Sequence, residues 1–343
     1  MNLPLVPFPR TLSSDSDTLI LRSPRIEVGA PELTDLELLL QSALGGAATE
    51  NDQRTPVSLT LDDAIAADEG YTLRIGTSGI DIRARTAAGA FYACQTLLQL
   101  LPCPGESDEI VALPCLHVED APTYAWRGMH LDCSRHFFPV AFIKRYLDLL
   151  ALHKMNRFHW HLCDDQGWRL QSRRFPRLTE VGAWRERSVV GHTANRERHY
   201  EDAPHGGFYT AEQVREVVEY AAQRNIEVLP EIDVPGHAAA LLAAYPALSC
   251  DGGNYRVEEH YGIFPDVLCP SEATFEFLAS LFAELAALFP FRYVHIGGDE
   301  VIKDHWRDCA RCGQLMRDRG MQSVDQLHGY FVNRVEGILA GLG

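Results

Sequence analysis

The pattern of apolar and polar positions changes once along the chain, near Ala121-Pro122, and the two sides predict different architectures. Before it, short runs at residues 18–28, 57–61, 71–75 and 80–85, rich in β-branched residues and separated by turn residues, predict strands. Helical spacing predicts helices over about 31–42 and 87–101, the second from the recurrence of Phe91, Cys94, Leu97, Leu98 and Leu101. Residues 1–121 therefore read as a small α+β domain. Beyond the boundary the pattern becomes strand then helix, repeated, which is the signature of βαβ units around a parallel sheet. Four apolar runs, 125–131, 157–162, 226–232 and 292–296, predict its strands. Two helix starts are marked by capping boxes, Thr210 to Gln213 and Ser323 to Gln326. Residues 122–343 thus read as an α/β domain, and the long segments 163–209 and 233–269 exceed ordinary βα loops and are expected to be functional.

Composition removes whole classes of function. The 343 residues carry 31 Lys plus Arg against 47 Asp plus Glu, a net charge of −16, with 46% hydrophobic residues. That balance is globular, and it repels phosphate backbones and anionic bilayers, so neither nucleic acid nor a membrane is an expected partner. The most apolar stretch, 275–289, falls short of the roughly 20 residues a bilayer needs and reads as a core helix. The opening MNLPLVPFPR has no basic segment followed by an apolar one, so the chain as given reads as cytoplasmic. Nine cysteines, an odd and scattered set, argue against a disulfide framework.

The polar chemistry gathers where the four strands of the second domain are expected to end: Arg127 and residues 132–136, then His159, His161, Asp164, Asp165 and Trp168, then Glu231, Asp233 and His237, then Asp299 and Glu300. In a (β/α)8 barrel those ends meet in space. Adjacent carboxylates facing one pocket cannot both ionise freely, so one of Asp299 and Glu300 is expected to hold its proton and serve as an acid. His159 and His161 alternate with Phe158 and Leu162 and leave one face of their strand, a geometry open to zinc or to tautomers held by neighbouring acids. Cys309-x-x-Cys312 has the spacing of a zinc or redox site, but no second Cys/His pair follows within ligand distance, so it reads as a helix-borne pair of ordinary thiols. Trp168, among the acids, is the tryptophan expected to stack on a substrate.

Taken in order, Tyr124-Ala-Trp-Arg-Gly128, Leu131-Asp-Cys-Ser-Arg-His-Phe137, Asn156 with His159-Trp-His-Leu162, Asp164-Asp-Gln-Gly-Trp-Arg169, Glu231-Ile-Asp-Val-Pro-Gly-His237 and His295-Ile-Gly-Gly-Asp-Glu300 resemble the β-N-acetylhexosaminidases of glycoside hydrolase family 20. The Pro7-Phe-Pro9 opening and the helix from Gly89 to Leu97 resemble the small domain that precedes that family's barrel. The resemblance implies a TIM barrel of which about the first half is present, after the small domain. It implies an exo-acting, retaining hydrolase of terminal β-linked N-acetylglucosamine or N-acetylgalactosamine that uses the substrate's own acetamido group. On that reading Glu300 protonates the leaving oxygen and Asp299 orients the acetamido group and stabilises the oxazolinium ion. Arg127 grips sugar hydroxyls, Asp165 and His237 lie beside the acid and keep it protonated, Trp168 contacts substrate, and His161 and Glu231 stand behind them. No metal and no cofactor are implied. The partner is an N-acetylhexosamine-containing oligosaccharide or glycoconjugate. A chain ending after the fourth βα unit is expected to be a truncated or split product, inactive alone and prone to self-association through half-barrel edges. A non-catalytic carbohydrate-binding protein and a metal-dependent TIM-barrel hydrolase are the alternatives.

Overall fold

The structure, a computed structural model, describes residues 3–44, 54–102, 111–192 and 197–343. The chain forms two compact units, the first of Met1–Arg127 with Tyr146–Asn156 and Gln223–Ile226, the second of Gly128–Arg145, Arg157–Ala222 and Glu227–Gly343.

In the first unit, strands β1 (Thr11–Ile20), β2 (Arg25–Val28), β3 (Pro56–Leu61), β4 (Tyr71–Gly76), β5 (Gly79–Ala84) and β6 (Ala112–Asp120) form one sheet in the order β1-β6-β4-β5-β3-β2. The strand predicted over 18–28 is two strands, because Ser23 turns the chain through a left-handed conformation (φ +32°) and sends β1 and β2 to opposite edges. Val57, Leu59, Leu73, Ile75, Ile80 and Ile82 are buried at every second position. Over the sheet lie α1 (Thr34–Leu44) and α2 (Ala87–Gln99), and α2 is buried from Gly89 to Leu97.

In the second unit, β7 (Gly128–Asp132), β8 (Arg157–His161) and β9 (Glu227–Glu231) are parallel, in the order β9-β8-β7. In the chain α3 (Val140–Leu152), whose residues from Tyr146 on are counted with the first unit, follows β7, and α4 (Ala211–Ala222) follows β8. The capping box ahead of α4 is reciprocal: Gln213 N donates to Thr210 Oγ1 at 3.2 Å, and Thr210 N donates to Gln213 Oε1 at 2.9 Å. The fourth predicted strand, 292–296, is held by a single parallel bridge from His295 to Glu231. Its extended run stops there because Gly297 (φ +63°) and Gly298 (φ +95°) turn the chain immediately afterwards. The longer helices of this part of the chain are α5 (Glu272–Ala286), before that run, and α6 (Ala310–Asp318) and α7 (Val324–Ala340), after it.

Candidate active site at the strand ends

Register places the polar residues in one layer. Asp132 is paired with His161 across β7 and β8, His161 with Glu231 across β8 and β9, and Glu231 bridges His295. Strand alternation sends Phe158 and Trp160 into the core, both 0% exposed, while His159 and His161 leave the other face and converge on Glu231. His159 Nε2 lies 2.6 Å and His161 Nδ1 2.5 Å from the same oxygen, and His295 Nδ1 is 2.9 Å from the other. Burial alone would favour a neutral His161, but its bonds to Asp164 and Glu231 push its pKa up to about 10. Burial likewise opposes charge on Glu231, yet three imidazoles hold it far below the usual carboxylate range. Both His161 nitrogens are committed to carboxylates, so the H-x-H pair acts here as part of a carboxylate–imidazolium network.

This network makes Glu231 a stability determinant. Glu231→Gln is expected to cost about 3 kcal/mol, the low end for removing one partner of a buried ion pair, because Asp164 still faces the other ring nitrogen of His161. The pH window follows from the two shifts. Glu231, depressed in the fold, contributes above its unfolded value near 4.5 and loses that contribution in acid. His161, raised in the fold, contributes fully below its unfolded value near 6.5 and loses it as pH rises towards about 10. Denaturant melts of both proteins should therefore differ most between about pH 4.5 and 6.5 and converge in alkali, and a constant gap would refute the assignment.

A second network runs to Glu300. His237 Nε2 is 3.4 Å from Glu300 Oε2, and its Nδ1 is 3.1 Å from both Asp164 Oδ1 and Asp165 Oδ2. Asp165 also accepts the backbone N–H of Ala239, which fixes it behind the imidazole. Burial disfavours charge on His237, but the two aspartates push its pKa up to about 11. His237 thus presents an imidazolium edge to Glu300 Oε2, with Asp165 behind it. His237 (φ +49°) and Glu300 (φ +51°) both occupy the left-handed region that non-glycine residues avoid, and the surrounding bonds hold them there.

Asp299 is exposed, and one of its oxygens lies within 4.8 Å of ligand atoms of Asp233 and His237. Asp233 accepts the N–H of Gly298 at 3.1 Å, and a side chain on Gly297 would run into the Asp233 carboxylate, so the two glycines let the loop close over it. Burial raises Asp233 to about 7, with Asp299 and Glu231 adding to the shift against the pull of Gly298 N–H and His237. Asp233 thus holds its proton to higher pH than an ordinary carboxyl.

Two expectations are corrected. Arg127 directly precedes β7, whose last residue is Asp132. Its Nη1 donates to Glu69 at 2.8 Å and to the Tyr124 carbonyl and its Nε to the Lys154 carbonyl, while its Nη2 is buried without a hydrogen-bond partner among the described residues. The guanidinium at the strand ends belongs to Arg135, 2.6 Å from Asp164 and 3.1 Å from Asp132, with its charge 5.8 Å over the Tyr261 ring. Trp168 is 1% exposed and donates its indole N–H to the Leu170 carbonyl, so it is a core residue with no face for a substrate. The motif around it is instead organised by Arg169, fully buried, which donates to the carbonyls of Cys133, Ser134, Ala183 and Gly207 and ties the loops together. Arg127→Ala should lower the unfolding free energy by about 2 kcal/mol, through the unpaired Glu69, and leave KM unchanged. A raised KM with unchanged stability would reinstate Arg127 as a ligand.

Comparisons with known proteins give the family. The model for the glycosyl hydrolase family 20 catalytic domain matches residues 124–343, and that for the family's domain 2 matches residues 2–121. A β-hexosaminidase of Porphyromonas gingivalis is 39% identical over 98% of this chain, which spans 44% of that protein. A β-N-acetylhexosaminidase of Cellulomonas fimi is 38% identical over 93% of the chain and 65% of its own length. Among solved structures, a family 20 exo β-N-acetylglucosaminidase of Vibrio harveyi, bound to N-acetylglucosamine, superposes with a TM-score of 0.85 at 33% identity, over 99% of this chain and 53% of its own. The chain thus spans about half the length of these relatives, a small α+β domain followed by the first part of a TIM barrel. It belongs to glycosyl hydrolase family 20.

Proposed function

We propose that the protein carrying this chain is an exo-acting, retaining β-N-acetylhexosaminidase that removes terminal β-linked N-acetylhexosamine from oligosaccharides or glycoconjugates. The observation that carries the proposal is the file Asp164/Asp165–His237–Glu300 with Asp299 beside it: one carboxyl backed by an imidazolium, and a neighbouring exposed carboxylate free to meet a ligand. In this reading the 2-acetamido carbonyl oxygen attacks C1 as the glycosidic C1–O bond breaks, and Glu300 gives its proton to the leaving oxygen. His237, held cationic by its aspartates, then stabilises the carboxylate left on Glu300. Asp299 accepts the acetamido N–H and faces the positive charge that spreads over the oxazolinium ring. Water attacks C1 from the vacated side, Glu300 takes its proton, and the acetamido group reopens, so two inversions give retention. Arg135, the fork at the strand ends, holds sugar hydroxyls in place of Arg127. The chemistry calls for no cofactor and no catalytic metal.

The test is initial-rate hydrolysis of an aryl β-N-acetylglucosaminide beside the matching β-glucoside. Turnover of the acetamido substrate alone supports the proposal, whereas equal turnover of both shows that the 2-substituent takes no part and overturns it.

A further inference from the structure

The family chemistry leaves one cluster unused. Cys309 caps α6 and Cys312 lies in its first turn, in the run Cys309-Ala-Arg-Cys312-Gly313. The sequence reading of this pair as thiols without partners is corrected by the fold, which brings Cys250 and Cys269 to it from the long loop after β9. All four sulfurs lie within 4.8 Å of one another, with Cys250 Sγ 3.7 Å and Cys269 Sγ 3.9 Å from Cys312 Sγ. A zinc ion with Zn–S bonds of about 2.3 Å has tetrahedron edges of about 3.8 Å, whereas a disulfide draws two sulfurs to about 2.05 Å. The sulfurs therefore stand at tetrahedral spacing, one short pull from an ion at their centre.

From this geometry we infer that Cys250, Cys269, Cys309 and Cys312 bind one structural zinc ion as a closed four-thiolate site. Thiolates are soft ligands that select zinc over calcium or magnesium, and four protein ligands leave no open position for catalysis. The surroundings suit the charge. Cys269 and Cys312 are buried, while Arg311 donates from one nitrogen to the carbonyls of Ser249 and Cys250, 3.0 Å each, and so brings a cation to a site whose four thiolates outweigh a divalent ion. On loading, each thiol that ligates gives its proton to solvent, and no oxidant is involved.

The ion ties the loop carrying Cys250 and Cys269 to α6 through a satellite core in which Cys269 and Cys312 pack with Val267, Val301, Trp306 and Leu327. Val301 follows Glu300 directly, so the same core anchors the residue after the strained acid. This inference stands whether or not the hydrolase reading does.

The test uses the intact 343-residue chain, expressed with zinc in the medium and purified without chelator. One zinc per chain by elemental analysis, released as an organomercurial titrates four thiols, is the expected result. Exchange with cobalt(II) should give the thiolate-to-metal charge-transfer and visible bands of a tetrahedral four-sulfur site. Cys309→Ser with Cys312→Ser should abolish both signals, and Cys94→Ala, elsewhere in the fold, should keep them. Zinc-free protein whose intact mass shows disulfides among these cysteines overturns the inference. So does zinc-free protein with four reactive thiols that gives no cobalt spectrum.

Discussion

Glu300→Gln should lower kcat/KM for an unactivated N-acetylhexosaminide by about 10²–10⁴-fold, the range over which a positioned general acid acts. The amide keeps the shape but has no acidic proton, so the cost should depend on the leaving group. With a strongly acidic phenol, whose oxygen departs without protonation, most of the loss should vanish, and binding of the product sugar should change little. This leaving-group dependence separates loss of an acid from collapse of the loop, which would slow every substrate alike. A uniform loss with binding of the product sugar unchanged would move the proton donor elsewhere, with Asp233, raised to about 7, the first alternative.

Asp299→Asn should cost about 10²–10³-fold in kcat, comparable to removing one preorganised group that meets developing charge. Here the leaving group should not rescue activity, because the lost interaction acts on the acetamido nitrogen and the oxazolinium charge. The two substitutions therefore have distinguishable signatures: Glu300→Gln makes the rate sensitive to the aglycone, and Asp299→Asn lowers the rate for all aglycones together. Identical signatures would contradict the separate roles given to these neighbours.

The sequence made the alternating architecture legible because buried parallel strands are short apolar runs and their helices carry caps that read locally. It also picks out Asp299, Glu300, His237 and Asp165 at strand ends within contiguous motifs, and the fold brings these four side chains together. What failed was position within a strand. The run 125–131 reads as a strand containing Arg127, but pairing begins at Gly128, and that small shift moved Arg127 out of the strand and left Arg135 as the strand-end guanidinium. Trp168 failed for another reason: a tryptophan among acids reads as a binding face, whereas the Leu170 carbonyl satisfies its N–H and allows complete burial. No strand is predicted over residues 112–120, where Pro114 counts against one, yet β6 pairs with both β1 and β4. The four-cysteine cluster was invisible because Cys250 and Cys269 are distant in sequence, and only the loop after β9 brings them to Cys312.

The central claim is that the substrate's acetamido group, held by Asp299, is the nucleophile. The direct measurement is a comparison of kcat/KM for aryl N-acetyl, N-fluoroacetyl, N-difluoroacetyl and N-trifluoroacetyl β-glucosaminides with one common leaving group. Each fluorine draws electrons from the carbonyl oxygen that must attack C1, so participation predicts a steep fall in rate along the series. A flat series would mean that a group on the enzyme or a water molecule attacks C1, and would contradict the account.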